Sequence, residues 1–267
     1  MYLFDATILG AIQGVTEFLP ISSTGHVEMF TKLFDLHDFG KNFNIITNLG
    51  TLSAILLYFR RDFTKLFLGG IDFLCNKKTI RRSFFLMMLL GNLPTIIIFG
   101  ILECLGLTPH GSELMFGINL IVFGLILYAC DRNESQNKDF SLPDAMKVGL
   151  AQLLSIFTGV SRLGICMSAC RFLKYSRQES FRFCMLFSII PASGACAFKL
   201  LKMLKNPDII SFSSTDAFVG IITAFLFGFI SLHTVYKFLK SHTFLPIVVY
   251  RLVSGSFVLW RIFSSSN

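Results

Sequence analysis

The stretch Gly10–His26, GAIQGVTEFLPISSTGH, decides the fold. Its surroundings are apolar enough for a membrane, yet it holds a carboxylate, hydroxyls, a histidine and a proline. A second stretch, Gly149–Gly164, GLAQLLSIFTGVSRLG, lies over Gly10–Gly25 without a gap, at a constant offset (149 − 10 = 139, 164 − 25 = 139). Gly10, Gln13, Phe18, Ser22 and Gly25 meet identical residues in Gly149, Gln152, Phe157, Ser161 and Gly164. Both copies fall in apolar segments, Leu3–Phe34 and Asp144–Leu173, that are broken near the middle by Gly, Ser and polar residues. Each reads as a helix pair that enters the membrane and turns back.

The rest of the 267-residue chain agrees with lipid as its solvent. Apolar residues make up 53% of it, charged residues 15%, and phenylalanine occurs 31 times, whereas a soluble domain carries about 25% charged residues. Runs long enough to cross roughly 30 Å of hydrocarbon fall at Phe43–Phe59, Ser83–Leu105, Glu113–Cys130, Phe181–Leu200, Ala217–Phe238 and Phe244–Phe263. The expected fold is all-α and polytopic, with about six transmembrane helices and two re-entrant helical hairpins. The net charge of +8 sits in short clusters between the apolar runs, a pattern of membrane-flanking loops that argues against a nucleic-acid partner. The seven cysteines are odd in number and form no CxxC pair, so they read as buried thiols rather than a disulfide framework or metal site. The N-terminus has no basic n-region and is not read as a cleaved signal peptide.

Basic residues set the orientation. The loop after the first span carries Arg60, Arg61, Lys65, Lys77, Lys78, Arg81 and Arg82, while LGLTPHGSE after the second carries neither Lys nor Arg. The first is expected inside and the second outside. Counting onward places Asp131–Pro143 and RFLKYSRQESFR inside, with Lys199, Lys202 and Lys205 as a weaker exception outside. The first broken segment then enters from the external side and the second from the cytoplasmic side. A single membrane domain is expected, built from inverted repeats of about 1–130 and 144–267, a known design for sites near the midplane.

A helix that starts inside the membrane presents unpaired N–H groups and the positive end of its dipole. Ser22, Ser23, Thr24 and Ser161 are N-cap types at such breaks, and Gly25 and Gly164 let backbone approach a ligand. Two facing breaks suit an anion. Arg162 stands at membrane depth, where an arginine costs at least about 2.5 to 3.5 kcal/mol, and its planar fork suits phosphate. Glu17 lies one helical turn after Gln13; a carboxylate there can hold a divalent cation, act as a base or pair with Arg162. Gln13 can bond a substrate but cannot be a base. His26 can move a proton or attack phosphorus. This is the inventory of phosphoryl transfer, and no P-loop, Rossmann fingerprint or HExxH helix accompanies it.

These motifs resemble those of the undecaprenyl-diphosphate phosphatases, also called bacitracin-resistance phosphatases. QGVTEFLPISSTGH (Gln13–His26) is similar to the family's (E/Q)xxxE and FLPxSSTGH, and TGVSRLGIC (Thr158–Cys166) to PGxSRSGxT. NLGTLSAI, GNLPTIIIFG, FSIIPASGA and FLPIVVYRL continue the likeness along the chain. The resemblance implies an enzyme that hydrolyses undecaprenyl diphosphate to the monophosphate and inorganic phosphate, recycling the lipid carrier of peptidoglycan synthesis and conferring bacitracin resistance. It implies Glu17, His26, Ser23 and Arg162 as catalytic and Ser22 and Ser161 as functional positions; Gln13, Thr24, Gly25 and Gly164 join them as substrate-binding candidates. Glu17 is the candidate ligand of a divalent cation, magnesium or calcium. The expected partners are a polyprenyl diphosphate and membrane lipid, a homodimer being allowed, in a bacterial plasma membrane with the site facing outward. The chain departs from the pattern at Thr158, Leu163 and Cys166, at Asn44 and Asn48, and in having Gln13 for the commoner glutamate. A transporter or flippase of a polyprenyl phosphate is the alternative, since it would share the architecture and need Arg162 but no nucleophile.

Overall fold

A computed structural model describes residues 2–107, 111–136, 139–206 and 211–265. Parts of the loops read above, 108–110 and 137–138, lie outside the described residues. The chain is an all-α polytopic membrane protein. Its helices are α1 (Leu3–Glu17), α2 (Ser23–Leu33), α3 (Gly40–Tyr58), α4 (Arg60–Leu74), α5 (Ile80–Cys104), α6 (Glu113–Asp131), α7 (Leu142–Gln152), α8 (Arg162–Phe172), α9 (Arg177–Lys205), α10 (Ser214–Phe238) and α11 (Leu245–Ser265). Among the described residues five helices are long and apolar enough to cross a membrane, α5, α6, α9, α10 and α11, and six if α3 and α4 count as one span broken by a 95° bend. One expectation is corrected here. The basic stretch from Arg60 is not a loop but helix α4, because its apolar residues recur at helical spacing and Leu66 and Gly69 are buried while Phe67 and Leu74 stay exposed.

α1, α2, α7 and α8 are too short to cross: 15 residues of α1 rise about 22 Å. They form two helix pairs inserted between the long helices. Small residues allow the insertion. A Cβ on Gly10 would lie 2.7 Å from the Gly220 carbonyl oxygen and one on Gly14 would lie 2.7 Å from that of Ala224, so α1 packs backbone to backbone on α10. The counterpart of Gly10 does the same elsewhere: a Cβ on Gly149 would overlap the Gly91 carbonyl, which seats α7 on α5. Each pair is therefore held by a long helix from the other half of the chain.

α9 continues through Pro191, whose missing N–H leaves the Phe187 carbonyl without its helical donor. Asn92 of α5 supplies one, Nδ2 to Phe187 O at 2.9 Å, so a buried amide repairs the helix where no water is available. The far end of the second pair is fixed by a buried cluster. Asp131 accepts from Arg171 Nε at 3.1 Å and Arg177 Nε at 2.7 Å, and Tyr175 donates to Asp144 at 2.6 Å. At the matching end of the first pair, Lys32 meets Glu113 in an exposed ion pair.

Candidate active site

The breaks follow directly from the helix ends. α1 stops at Glu17 and α2 begins at Ser23; α7 stops at Gln152, a 3-10 turn covers Leu153–Ile156, and α8 begins at Arg162. Ser22 (φ 72°) and Ser161 (φ 68°) stand immediately before the new helices in left-handed backbone. Such a conformation costs a non-glycine residue about 1–3 kcal/mol. The two are 139 positions apart, as are Asp35 (φ 50°) and Lys174 (φ 70°), which lie just beyond the ends of α2 and α8.

The two serines use their hydroxyls differently. Ser161 caps α8, its Oγ accepting from Gly164 N at 3.1 Å. Ser22 makes no cap bond to its own helix. Its Oγ accepts from Gly159 N at 3.3 Å, in the other break, so it joins the two copies instead. Ser23 and Thr24 lie inside α2 rather than at its cap, with Thr24 exposed.

Glu17 is where the copies converge. Its Oε1 accepts from Arg162 NH2 at 2.9 Å; its Oε2 accepts from Ser23 Oγ at 2.6 Å and from Gln13 Nε2 at 3.0 Å. Gln13 Nε2 also donates to Asn48 Oδ1 at 2.6 Å. Two acceptors flanking one nitrogen fix the amide orientation, since its oxygen in that place would face a carboxylate. The Arg162 side chain is 37% exposed, against 16% for Glu17, so the outer face of the guanidinium is open to a ligand. The structure thus brings Glu17, Gln13, Ser23 and Arg162 together.

His26 does not share that contact set. It is fully buried, stacked on Tyr250 and set edge-on to Phe116. Its Nδ1 lies 2.9 Å from Ser22 O. A carbonyl only accepts, so Nδ1 carries the proton and Nε2 presents a lone pair, buried with no hydrogen-bond partner among the described residues. The glycines also serve packing before ligand access. The space a Gly25 Cβ would need is taken by the Phe116 ring, and that beside Gly164 is bounded by Arg251 NH1 at 3.1 Å.

Three participants escaped the reading of the sequence. Asn48, noted there only as a departure, orients Gln13. Cys166, likewise noted only as a departure, donates to Gln152 Oε1 at 3.3 Å. The third is Arg251 of α11, fully buried and bonded to carbonyls of both breaks, Pro20 O at 2.5 Å and Gly159 O at 3.0 Å. The signal was available, because Arg251 sits within an apolar span as Arg162 does, and the same cost argument applies.

Sequence similarity to known proteins extends over nearly the whole chain. The family model described as bacitracin resistance protein BacA matches residues 6–257. An undecaprenyl-diphosphatase of Jannaschia sp. (strain CCS1) is 34% identical over 265 residues, 97% of this chain and 98% of the relative. One of Pelotomaculum thermopropionicum is 35% identical over 262 residues, 97% and 96% of the two chains. One of Desulforudis audaxviator is 33% identical over 259 residues, 96% of each. A match that spans both breaks, both positive-φ serines and the helices that seat them places the chain in the bacitracin resistance protein BacA family.

Proposed function

We propose that the chain is an undecaprenyl-diphosphate phosphatase of the bacterial plasma membrane, with the site facing outward, and that its halves are inverted repeats. It releases inorganic phosphate and returns undecaprenyl phosphate to wall synthesis. The observation that carries the reading is the convergence on Glu17 of a hydroxyl from one break and a guanidinium from the other. The free face of Arg162 and the N-terminal N–H groups of α2 and α8 bind the terminal phosphate, whose charge grows toward the leaving oxygen during displacement. Glu17 holds the Ser23 proton at hydrogen-bond distance, the arrangement of a nucleophile and its base. Ser23 Oγ attacks the terminal phosphorus, the P–O bond to the lipid phosphate breaks, and the serine proton passes to Glu17. Water then hydrolyses the phosphoserine. His26 Nε2 is a second base, behind Phe116 and Tyr250, suited to accept the proton of that water once the rings part.

A divalent cation, magnesium or calcium, fits this donor set only together with the substrate. Among the described residues no group of three His, Cys, Asp or Glu could hold a metal, and Gln13 turns its NH2 toward Glu17. Glu17 and diphosphate oxygens would hold the ion, which when bound offsets phosphate charge. The test is phosphate release from a polyprenyl diphosphate by purified protein in detergent, with magnesium, calcium or chelator. Release that Arg162→Ala and Ser23→Ala abolish supports the reading. Translocation in vesicles without release overturns it in favour of a lipid-phosphate flippase.

A further inference from the structure

We infer that Arg251 is a positioning residue that sets the two half-sites in register and supplies an unpaired positive charge behind them; this rests on the phosphatase reading for its kinetic consequence only. Among the described residues two arginines are buried almost completely, and they are compensated differently. Arg171 is paired with Asp131 at 3.1 Å. Arg251 has no carboxylate partner among the described residues; its hydrogen bonds go to five backbone carbonyls. Nε donates to Leu120 O at 3.1 Å, NH1 to Pro20 O at 2.5 Å and Val160 O at 3.4 Å, and NH2 to Asn119 O at 3.1 Å, Gly159 O at 3.0 Å and Val160 O at 3.4 Å.

The positions of those carbonyls matter. Pro20 precedes Ser22 by two residues, and Gly159 and Val160 directly precede Ser161, so the bonded peptides lead into the left-handed residues from which α2 and α8 start. Fixing these planes fixes where the helix N-termini, Ser23 and Arg162 point. Asn119 and Leu120 tie the same guanidinium to α6, which approaches α11 closely at Gly117 and Gly255. Only a planar group with several N–H donors in one fork reaches all five oxygens; an ammonium of similar charge cannot. A buried charge without a counter-ion is costly. Here it lies beside the first turn of α8, 3.1 Å from the place of a Gly164 Cβ, where the terminal phosphate of a diphosphate lipid would balance it.

The test compares wild type with Arg251→Lys and Arg251→Met in the full-length protein in detergent. Three readouts are used: hydrogen exchange of segments 18–26 and 157–165, kcat and KM for phosphate release from a polyprenyl diphosphate, and thermal stability. Arg251→Lys is expected to quicken exchange in those two segments and leave the long helices unchanged. Its kcat is expected to fall about 100-fold, the scale of a displacement near 1 Å, with a smaller change in KM. Unchanged exchange in both segments, or a kcat within about twofold of wild type, overturns the inference. So does a uniform loosening of every helix, or failure of both variants to yield monodisperse protein, since Arg251 would then be a structural residue only. If wild type itself releases no phosphate, the phosphatase reading fails while the exchange measurement still judges the clamp.

Discussion

Replacing Gln13 with glutamate tests what the amide does beside Glu17. Its Nε2 now donates to Glu17 Oε2 at 3.0 Å and to Asn48 Oδ1 at 2.6 Å. A carboxylate there loses both bonds, and Asn48 recovers one by turning its own NH2 toward the new acceptor. Two carboxylates about 4 Å apart repel by about 4 kcal/mol at an effective dielectric of 20. Position 13 is 2% exposed and Glu17 16%, so solvent screens little, but the Arg162 guanidinium on Glu17 Oε1 offsets part of the added charge and reduces this to roughly 2 kcal/mol. A divalent cation bound between the two groups recovers that energy, which corresponds to about 30-fold in affinity. Gln13→Glu should therefore lower the half-saturating magnesium concentration for phosphate release about 30-fold, while its activity in chelator drops below that of wild type. Superimposable magnesium titrations, or a loss of equal size at every magnesium concentration, would refute the reasoning: the first says no cation binds at Glu17, the second that the amide is needed only for packing.

Other substitutions probe other links. Arg162→Lys keeps the charge but loses the fork; losing one charge-assisted hydrogen bond of about 1.5–3 kcal/mol should cut kcat/KM roughly 10- to 150-fold, read from phosphate release. Asp131→Asn leaves Arg171 buried without a counter-ion and weakens the acceptor for Phe244 N, so thermal melting in detergent should show a loss of about 3–5 kcal/mol. Gly149→Ala drives a methyl into the Gly91 carbonyl and should cost about 1–3 kcal/mol. Gly100→Ala, which meets nothing within 4 Å, is the control and should be neutral or stabilising by about 0.5–1 kcal/mol.

The sequence revealed what depends on local pattern. Apolar runs marked the long helices, and the 139-residue offset located both breaks, because helix ends are written in short-range chemistry. Glu17, Ser23 and Arg162 were legible for the same reason: polar residues in an apolar segment need partners. What remained hidden depends on where helices meet. Gln13 read as a residue that can bond a substrate, and nothing local showed that Asn48, 35 residues away, takes a hydrogen bond from its amide. Gly25 looked like room for a ligand, whereas Phe116 from α6 fills that room. His26 belonged to the same inventory as Glu17 in the sequence, whereas its ring packs on Tyr250 and Phe116 and its Nδ1 bonds Ser22 O rather than joining the contacts around Glu17. Arg251 lay far along the chain from the repeat and was obscured by the apolar run around it.

The same contacts bear on why this architecture hydrolyses rather than carries. Broken helices that face one another also occur in transporters, in which one repeat rocks against the other around a midplane site. Rocking needs an interface between the repeats that can open. Here the contact between the two breaks is closed by three kinds of bond: Glu17 to Arg162 between charged side chains, Ser22 Oγ to Gly159 N between side chain and backbone, and Arg251 to carbonyls of both breaks. Substrate can displace the first, because a diphosphate competes with a carboxylate for the exposed guanidinium. The other two do not involve Arg162, and Arg251 is fully buried with its donors held by carbonyls of both breaks. A site whose halves are fixed in this way can present Ser23 and Arg162 at constant separation to a terminal phosphate, and constant separation is what in-line displacement requires.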